Sequence, residues 1–227
     1  RFFADGSLDF SFQSTVDFSV TAMAIQPDGK IVIGGSYNDS AAPEGITVLR
    51  LNTDGSLDES FQAGFAPSGT IEDIEIEFNG TILVGGAFNS FAGQVAKGLA
   101  RLAPEGFLLQ TIILEEVGTV FISDLIVLGN GRFYVGGSYQ AEGYLSFRKY
   151  SGLPADGFDF TPDFPGVNNI MVGIRDIELD SQGRIVMTVG TFLIRYALVI
   201  INPDGSMADW GYTYGIPMDL AVDAFDN

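Results

Sequence analysis

Apolar and polar residues alternate through several stretches of this chain. Ile74, Ile76 and Phe78 share one parity, while Asp73, Glu75 and Glu77 take the other. That period of two is expected of a β-strand that buries one face and wets the other. A short turn follows, then a second apolar run ending in two glycines and an aromatic: Gly34-Gly35-Ser36-Tyr37, Gly85-Gly86-Ala87-Phe88 and Gly136-Gly137-Ser138-Tyr139. Paired glycines inside a strand mark a bulge or a close backbone approach. A fourth copy departs from the pattern, reading Thr188-Val189-Gly190 before Phe192. A third strand is read at Val48-Leu49-Arg50-Leu51 and again at Leu99-Ala100-Arg101-Leu102.

The turns between these strands recur at a fixed period. Asp5-Gly6, Asp54-Gly55, Glu105-Gly106, Asp156-Gly157 and Asp204-Gly205 lie 49, 51, 51 and 48 residues apart. Midway between them run Asp28-Gly29, Asn79-Gly80, Asn130-Gly131 and Gln182-Gly183. Glycine accepts the positive φ of a tight hairpin turn, so these pairs between apolar runs predict hairpins. The chain is therefore read as an all-β protein of about fifty-residue units, four complete and one partial. The units are residues 5–53, 54–104, 105–155 and 156–203, with a partial one at 204–227 and residues 1–4 ending a preceding one. A small antiparallel sheet cannot bury both faces alone, whereas a ring of them can, which favours the blades of one β-propeller domain over 1–227. Both ends fall in mid-blade, and a fragment of a larger or incompletely represented propeller is the expectation.

Two segments carry a family resemblance. Leu51-Asn52-Thr53-Asp54-Gly55-Ser56-Leu57-Asp58-Glu59-Ser60-Phe61 and Ala24-Ile25-Gln26-Pro27-Asp28-Gly29-Lys30-Ile31-Val32-Ile33-Gly34-Gly35 resemble the delta-60 repeat of bacterial secreted and cell-surface proteins. The likeness is close in the first two units, weaker in the third and loosest in the fourth. It implies an extracellular propeller, commonly beside adhesion or sorting modules, and it brings no catalytic residues with it.

Composition narrows the chemistry. Eleven basic residues against 29 acidic ones give a formal charge of −18, which repels nucleic acid and anionic lipid. The nearest approach to a membrane-spanning helix, the short apolar run Ala197 to Ile201, falls far short of the roughly eighteen residues needed. No direct membrane insertion is expected. The chain holds no histidine and no cysteine, so it cannot itself supply a Ser-His-Asp or Cys-His arrangement, a disulfide or a Cys/His zinc site.

Acids on the recurring first strand are the sharper candidates. Asp73, Asp124, Asp176 and Asp219 recur at near-repeat spacing, with Glu75, Glu77, Glu178, Asp180 and Asp223 close by. If that strand is innermost they crowd a channel, where they would hold a cation or act as a carboxylate pair in glycoside hydrolysis. The plainer reading is that they cap strands and accept backbone amides. Asn52, Asp54, Ser56 and Asp58 alternate in a way that could present oxygens to calcium, but the spacing is not that of an EF-hand and an Asx turn accounts for it. Arg1, Arg50 and Arg101 stand four residues before a turn, with Lys149 near the same place. A residue repeated in every unit is expected to tie neighbouring blades together or to cover an edge. Phe12, Phe61 and Trp210 follow their turns by seven, seven and six residues and read as packing aromatics, although an exposed Trp210 could stack on a sugar.

The expectation for function is a non-enzymatic propeller, secreted or at the cell surface. It would act as a structural or adhesion-type binding module for protein or carbohydrate, beside other domains of a large bacterial protein. Its rivals are a carbohydrate-active enzyme using channel carboxylates, and a secreted passenger or subunit bound to a secretion or assembly machine.

Overall fold

The computed structural model describes residues 1–36, 48–63, 69–113, 119–140, 147–150, 158–160, 172–191, 196–203, 206–213 and 220–222. The chain divides into two compact units, Arg1–Ile113 and Leu114–Asn227. In the first, β1 (Ser19–Ile25), β2 (Ile31–Ser36) and β3 (Val48–Leu51) form a three-stranded sheet in that order. It is followed by β4 (Gly69–Ile76), β5 (Ile82–Phe88), the short hairpin β6 (Ser90–Phe91) and β7 (Gln94–Val95), then β8 (Leu99–Leu102) and β9 (Leu108–Thr111). Here β4, β5, β8 and β9 make a four-stranded sheet.

The second unit holds two further four-stranded sheets. One is β10 (Thr119–Val127), β11 (Phe133–Gln140), β12 (Phe147–Tyr150) and β13 (Phe158–Phe160). The other is β14 (Val172–Leu179), β15 (Ile185–Thr191), β16 (Tyr196–Ile201) and β17 (Met207–Thr213). Among the described residues every strand pairing is antiparallel. Among the described residues the sole helical piece is a 3-10 turn at Gly129–Gly131.

The turn glycines have the backbone their position demands: Gly6, Gly29, Gly55, Gly80, Gly106, Gly131 and Gly183 all have positive φ. The repeat frame is where the sheets differ from the reading by turns. The pair Glu105-Gly106 joins β8 to β9 within one sheet, because Leu102 pairs with Leu108 across it. A unit cut at that turn therefore takes the last strand of one sheet and the first three of the next. Leu51 and Leu57 bridge across the Asp54-Gly55 turn in the same manner, as do Phe2 and Leu8 across Asp5-Gly6.

All four first strands break register at one place, between Val20 and Ala22, Ile71 and Asp73, Ile122 and Asp124, and Ile174 and Asp176. These β-bulges explain the glycine pairs, whose members have separate reasons. A Cβ on Gly35, Gly86 or Gly137 would sit 1.9, 2.1 and 2.1 Å from the carbonyl oxygens of Ser19, Thr70 and Phe121, beside the bulge of the paired strand. A Cβ on Gly34 would lie 2.7 Å from Ile71 and 2.8 Å from Ile74, and one on Gly136 2.9 Å from Ile174. The first glycine thus lets the next blade approach, and the second makes room for the bulge. The last sheet keeps its bulge while carrying Thr188 and Val189 at these two register positions, both buried.

Stacking of neighbouring sheets supplies the core of each unit. In the first, Val32 and Val48 of one sheet join Ile71, Ile74, Ile82 and Leu102 of the next in one apolar cluster. In the second, Tyr134 joins Ile174, Ile177, Met187, Val199 and Ile201. Each fully buried Ile or Leu contributes about 2 kcal/mol relative to exposure, so a blade stripped of its neighbour loses much of its reason to fold.

Candidate functional site

The repeated aspartates sit immediately after the bulge, a position at which the strand's amides are out of step with its partner. Asp73 accepts the amide of Ile74 at 2.8 Å, and Asp124 accepts that of Leu125 at 2.9 Å. The second oxygen of Asp124 reaches the following blade and accepts the amide of Ile177 at 2.6 Å. Asp176 accepts the amide of Leu220 in the same way. Asp219 and Asp223 lie outside the described residues.

The bulge residue one place earlier adds a matching bond. The Thr21 hydroxyl donates to the carbonyl of Ile71, and the Ser123 hydroxyl donates to that of Ile174 at 2.6 Å. These hydroxyls carried no signal in the sequence, since the bulge position reads Thr21, Glu72, Ser123 and Arg175.

The other acids near the first strand also have partners. Glu77 pairs with Arg101 at 2.6 Å and accepts the Thr81 hydroxyl at 2.6 Å. Asp180, at the corresponding place in the last sheet, pairs with Arg184 and accepts its amide. Burial works to raise the Asp180 pKa, yet these bonds and the Gln182 amide hold it below the ordinary carboxylate value. Glu72 accepts the Thr70 hydroxyl at 2.6 Å. Among the described residues, no group of three or more Asp or Glu is placed to hold a metal ion.

A second constellation surrounds the recurring arginines. Arg50 is buried and donates to Asp58 at 2.8 Å, to the Gln26 side chain at 3.1 Å and to the carbonyl of Pro104 in the next blade at 2.6 Å. Lys30 also reaches Asp58, at 2.8 Å. Arg1 repeats the arrangement, bonded to Asp9 and to the carbonyl of Thr53 at 2.8 Å. Each guanidinium covers an aromatic ring, Arg1 over Phe12 at 5.3 Å and Arg50 over Phe61 at 4.8 Å. The next residue closes the joint: the Gln13 amide donates to Asp54 O and the Gln62 amide to Glu105 O, both at 2.9 Å.

The side chains of this latch are electrostatically tuned for holding on. Asp58 is pushed well below the usual carboxylate range by Lys30, by the Ser60 hydroxyl and amide, and by Arg50. Asp9 is lowered to about 2 by the Ser11 hydroxyl and by Arg1. Lys149 takes the equivalent register position, paired with Tyr134 as Arg101 is with Leu83 and Arg50 with Val32. The last sheet has Ile200 there, opposite Val186.

The other sequence candidates resolve locally. Asp54 accepts both the amide and the hydroxyl of Ser56, at 2.9 and 2.7 Å, which is an Asx turn. Asn52 donates to the Ser56 hydroxyl at 3.0 Å. Phe61 packs partly buried against the core of its unit, and its ring faces Gly106 of the following turn. Trp210 lies in β17 opposite Val199, and its side chain is outside the described residues.

Comparisons with known proteins agree with these sheets. A family model described as "Domain of unknown function (DUF5122) beta-propeller" matches residues 26–61 and 79–108. The extracellular domain of BT4673 from B. thetaiotaomicron, described as a one component system, is 19% identical over 95% of this chain at a TM-score of 0.57. A protein of unknown function from Bacteroides caccae is 16% identical over 92% of this chain and 73% of its own, at a TM-score of 0.56. A mutant puromycin hydrolase complexed with PGG is 18% identical over 88% of this chain and 30% of its own, at a TM-score of 0.52. This chain spans 26% of the BT4673 domain's length. Among curated proteins nothing matches. Together with the meandering four-stranded sheets, these likenesses show an all-β protein of the β-propeller class.

Proposed function

We propose that this chain is a non-enzymatic module of a larger bacterial protein, secreted or held at the cell surface. Its blades act as a rigid frame, and the loops between strands recognise a protein or a carbohydrate. The observation that carries this reading is the bonding of Asp124. One of its oxygens takes an amide of its own strand and the other an amide of the next blade, so the carboxylate is spent on stacking. The likeness of two of its segments to the delta-60 repeat, and the extracellular description of BT4673, support the location. The net charge of −18 disfavours nucleic acid and anionic membrane as partners and suits other domains of the same protein or uncharged glycans.

The experiment is a pair of measurements on the wild-type chain and Asp124→Asn. Binding is scored on an array of bacterial and host surface glycans and matrix proteins, and hydrolysis on a panel of aryl glycosides. A frame role predicts saturable binding to some array member, no hydrolysis, and a variant that melts lower. Turnover by the wild-type chain that Asp124→Asn abolishes without lowering the melting temperature would instead make the carboxylate catalytic.

A further inference from the structure

The turn between β4 and β5 brings a side-chain amide, a backbone nitrogen and hydrogen-bond donors together. Asn79 is exposed at its tip and is followed by Gly80, whose φ is +85°. The Asn79 Oδ1 accepts the Thr81 amide at 3.0 Å, and the Thr81 hydroxyl, which Glu77 shares, lies 2.6 Å from the same oxygen. This Asx turn closes a ring of atoms that contains both the Asn79 Cγ and the Gly80 nitrogen. Attack of that nitrogen on Cγ puts negative charge on Oδ1, where the Thr81 donors already point. Glycine adds no side chain to obstruct the approach. The Gly80 amide is itself held by the carbonyl of Glu77 at 2.8 Å, so the reaction waits for that bond to open.

The first sheet shows what this turn becomes once the side-chain amide is lost. Asp28 stands at the same place ahead of Gly29, whose φ is +84°, and accepts the Lys30 amide at 3.1 Å. The Gly29 amide donates to the carbonyl of Gln26 at 2.9 Å, as Gly80 does to Glu77. The repeat therefore builds one turn from aspartate or asparagine. Gln182-Gly183 builds it again in the last sheet, with the Gly183 amide on the carbonyl of Asp180 at 3.0 Å. A β-linked residue is different, because it adds a carbon to the backbone of the turn. A Cβ on Gly80 would lie 3.5 Å from Pro104, whose carbonyl Gln26 and Arg50 hold.

We propose that Asn79 is a site of spontaneous modification, losing its amide through a succinimide to become aspartate or isoaspartate. The Gly80 nitrogen gives its proton to solvent and bonds to Cγ; the Cγ–Nδ2 bond breaks, and ammonia leaves with a proton returned from solvent. Water then opens the ring. Cleavage of the new N–Cγ bond gives aspartate, whereas cleavage of the original backbone C–N bond gives isoaspartate, with the chain running through Cβ and Cγ. The sum is a water consumed and an ammonia released. Other asparagines lack this arrangement: Asn202 precedes Pro203, which has no amide proton to give, and Asn52 precedes Thr53, whose branched side chain crowds the nitrogen.

The test ages the full chain in warm, mildly alkaline buffer made with heavy-oxygen water. Mass spectrometry with fragmentation that separates aspartate from isoaspartate then maps each site. Residue 79 is expected to take up a heavy oxygen and to appear in both forms several-fold faster than Asn52 changes, while Asn202 stays intact. Asn79→Gln keeps the turn, as Gln182 does, and is expected to abolish the signal at this position alone, which separates it from Asn130-Gly131. The isoaspartate fraction, resolved by chromatography, is expected to melt lower than fresh chain, and Asn79→Asp to melt with fresh chain. Retention of the amide at 79 in the folded chain overturns the proposal, and conversion of the same chain in urea would then show that the turn protects it. Conversion at 79 no faster than at Asn52 overturns it as well.

Discussion

At the scale of single residues, carboxylates here function as fasteners, and their titration should be visible in stability. Asp9 is lowered from 3.8 to about 2 in the folded chain. A depressed folded pKa means that the unfolded chain takes up the proton first. The contribution of Asp9 is therefore complete above about pH 3.8 and disappears as the pH falls towards 2. Asp9→Asn should flatten the acid limb of a plot of melting temperature against pH in that window. Curves that stay parallel through it would show that the Arg1–Asp9 pair does not carry the effect. The recurrence of Arg1 and Arg50 was legible in the sequence, which left their role open between tying blades and covering an edge; the bonds to the Thr53 and Pro104 carbonyls make them ties. Their partners Asp9 and Asp58 were not legible, because each lies eight residues onward, across a hairpin whose register the sequence pattern leaves open. The last sheet shows that the ion pair itself can migrate: Ile200 stands on the third strand, and Arg184 beside the turn answers Asp180.

At the scale of elements, the glycine pair and the bulge form one device. The sequence pattern announced a bulge or a close approach, and the structure contains both, assigned to different glycines. Gly137→Ala would force a Cβ against the Phe121 carbonyl oxygen, 2.1 Å away. Backbone cannot yield as a flexible side chain can, so a loss of about 3 kcal/mol is expected, read as a lower urea midpoint. Gly173→Ala is the matched control, since nothing lies within 4 Å of its Cβ, and it should change the midpoint little. Equal losses in the two variants would mean that strand entropy, and not the approach to the bulge, sets the cost. The frame of the repeat was less legible than its period. Turn residues mark hairpins equally well between any two strands, so the pattern alone does not say that Glu105-Gly106 lies inside a sheet.

At the scale of the molecule, charge and stacking pull in opposite directions. A formal charge of −18 makes each unit repel itself, while buried pairs such as Arg50–Asp58 are screened far less than exposed charges. Adding about 0.5 M sodium chloride should therefore raise the melting temperature, and calorimetry at several salt concentrations checks it. A fall would mean that surface attractions outweigh the repulsion. The all-β class and its propeller character were readable from turn spacing, because glycines at positive φ recur with the blades. The candidate site was readable only as a row of acids. Asp124 and Asp176 also hold the amides of Ile177 and Leu220, far onward in sequence, and a single strand's pattern carries no trace of those partners.

The closing bonds also have a direction. Gln13 reaches forward to Asp54, and Gln62 reaches forward to Glu105, each fastening a sheet to a turn that lies later in the chain. During synthesis a ribosome makes the sheet first and its clasp almost a full repeat afterwards. At these two joints the earlier segment must wait, unfastened, for the later turn to emerge.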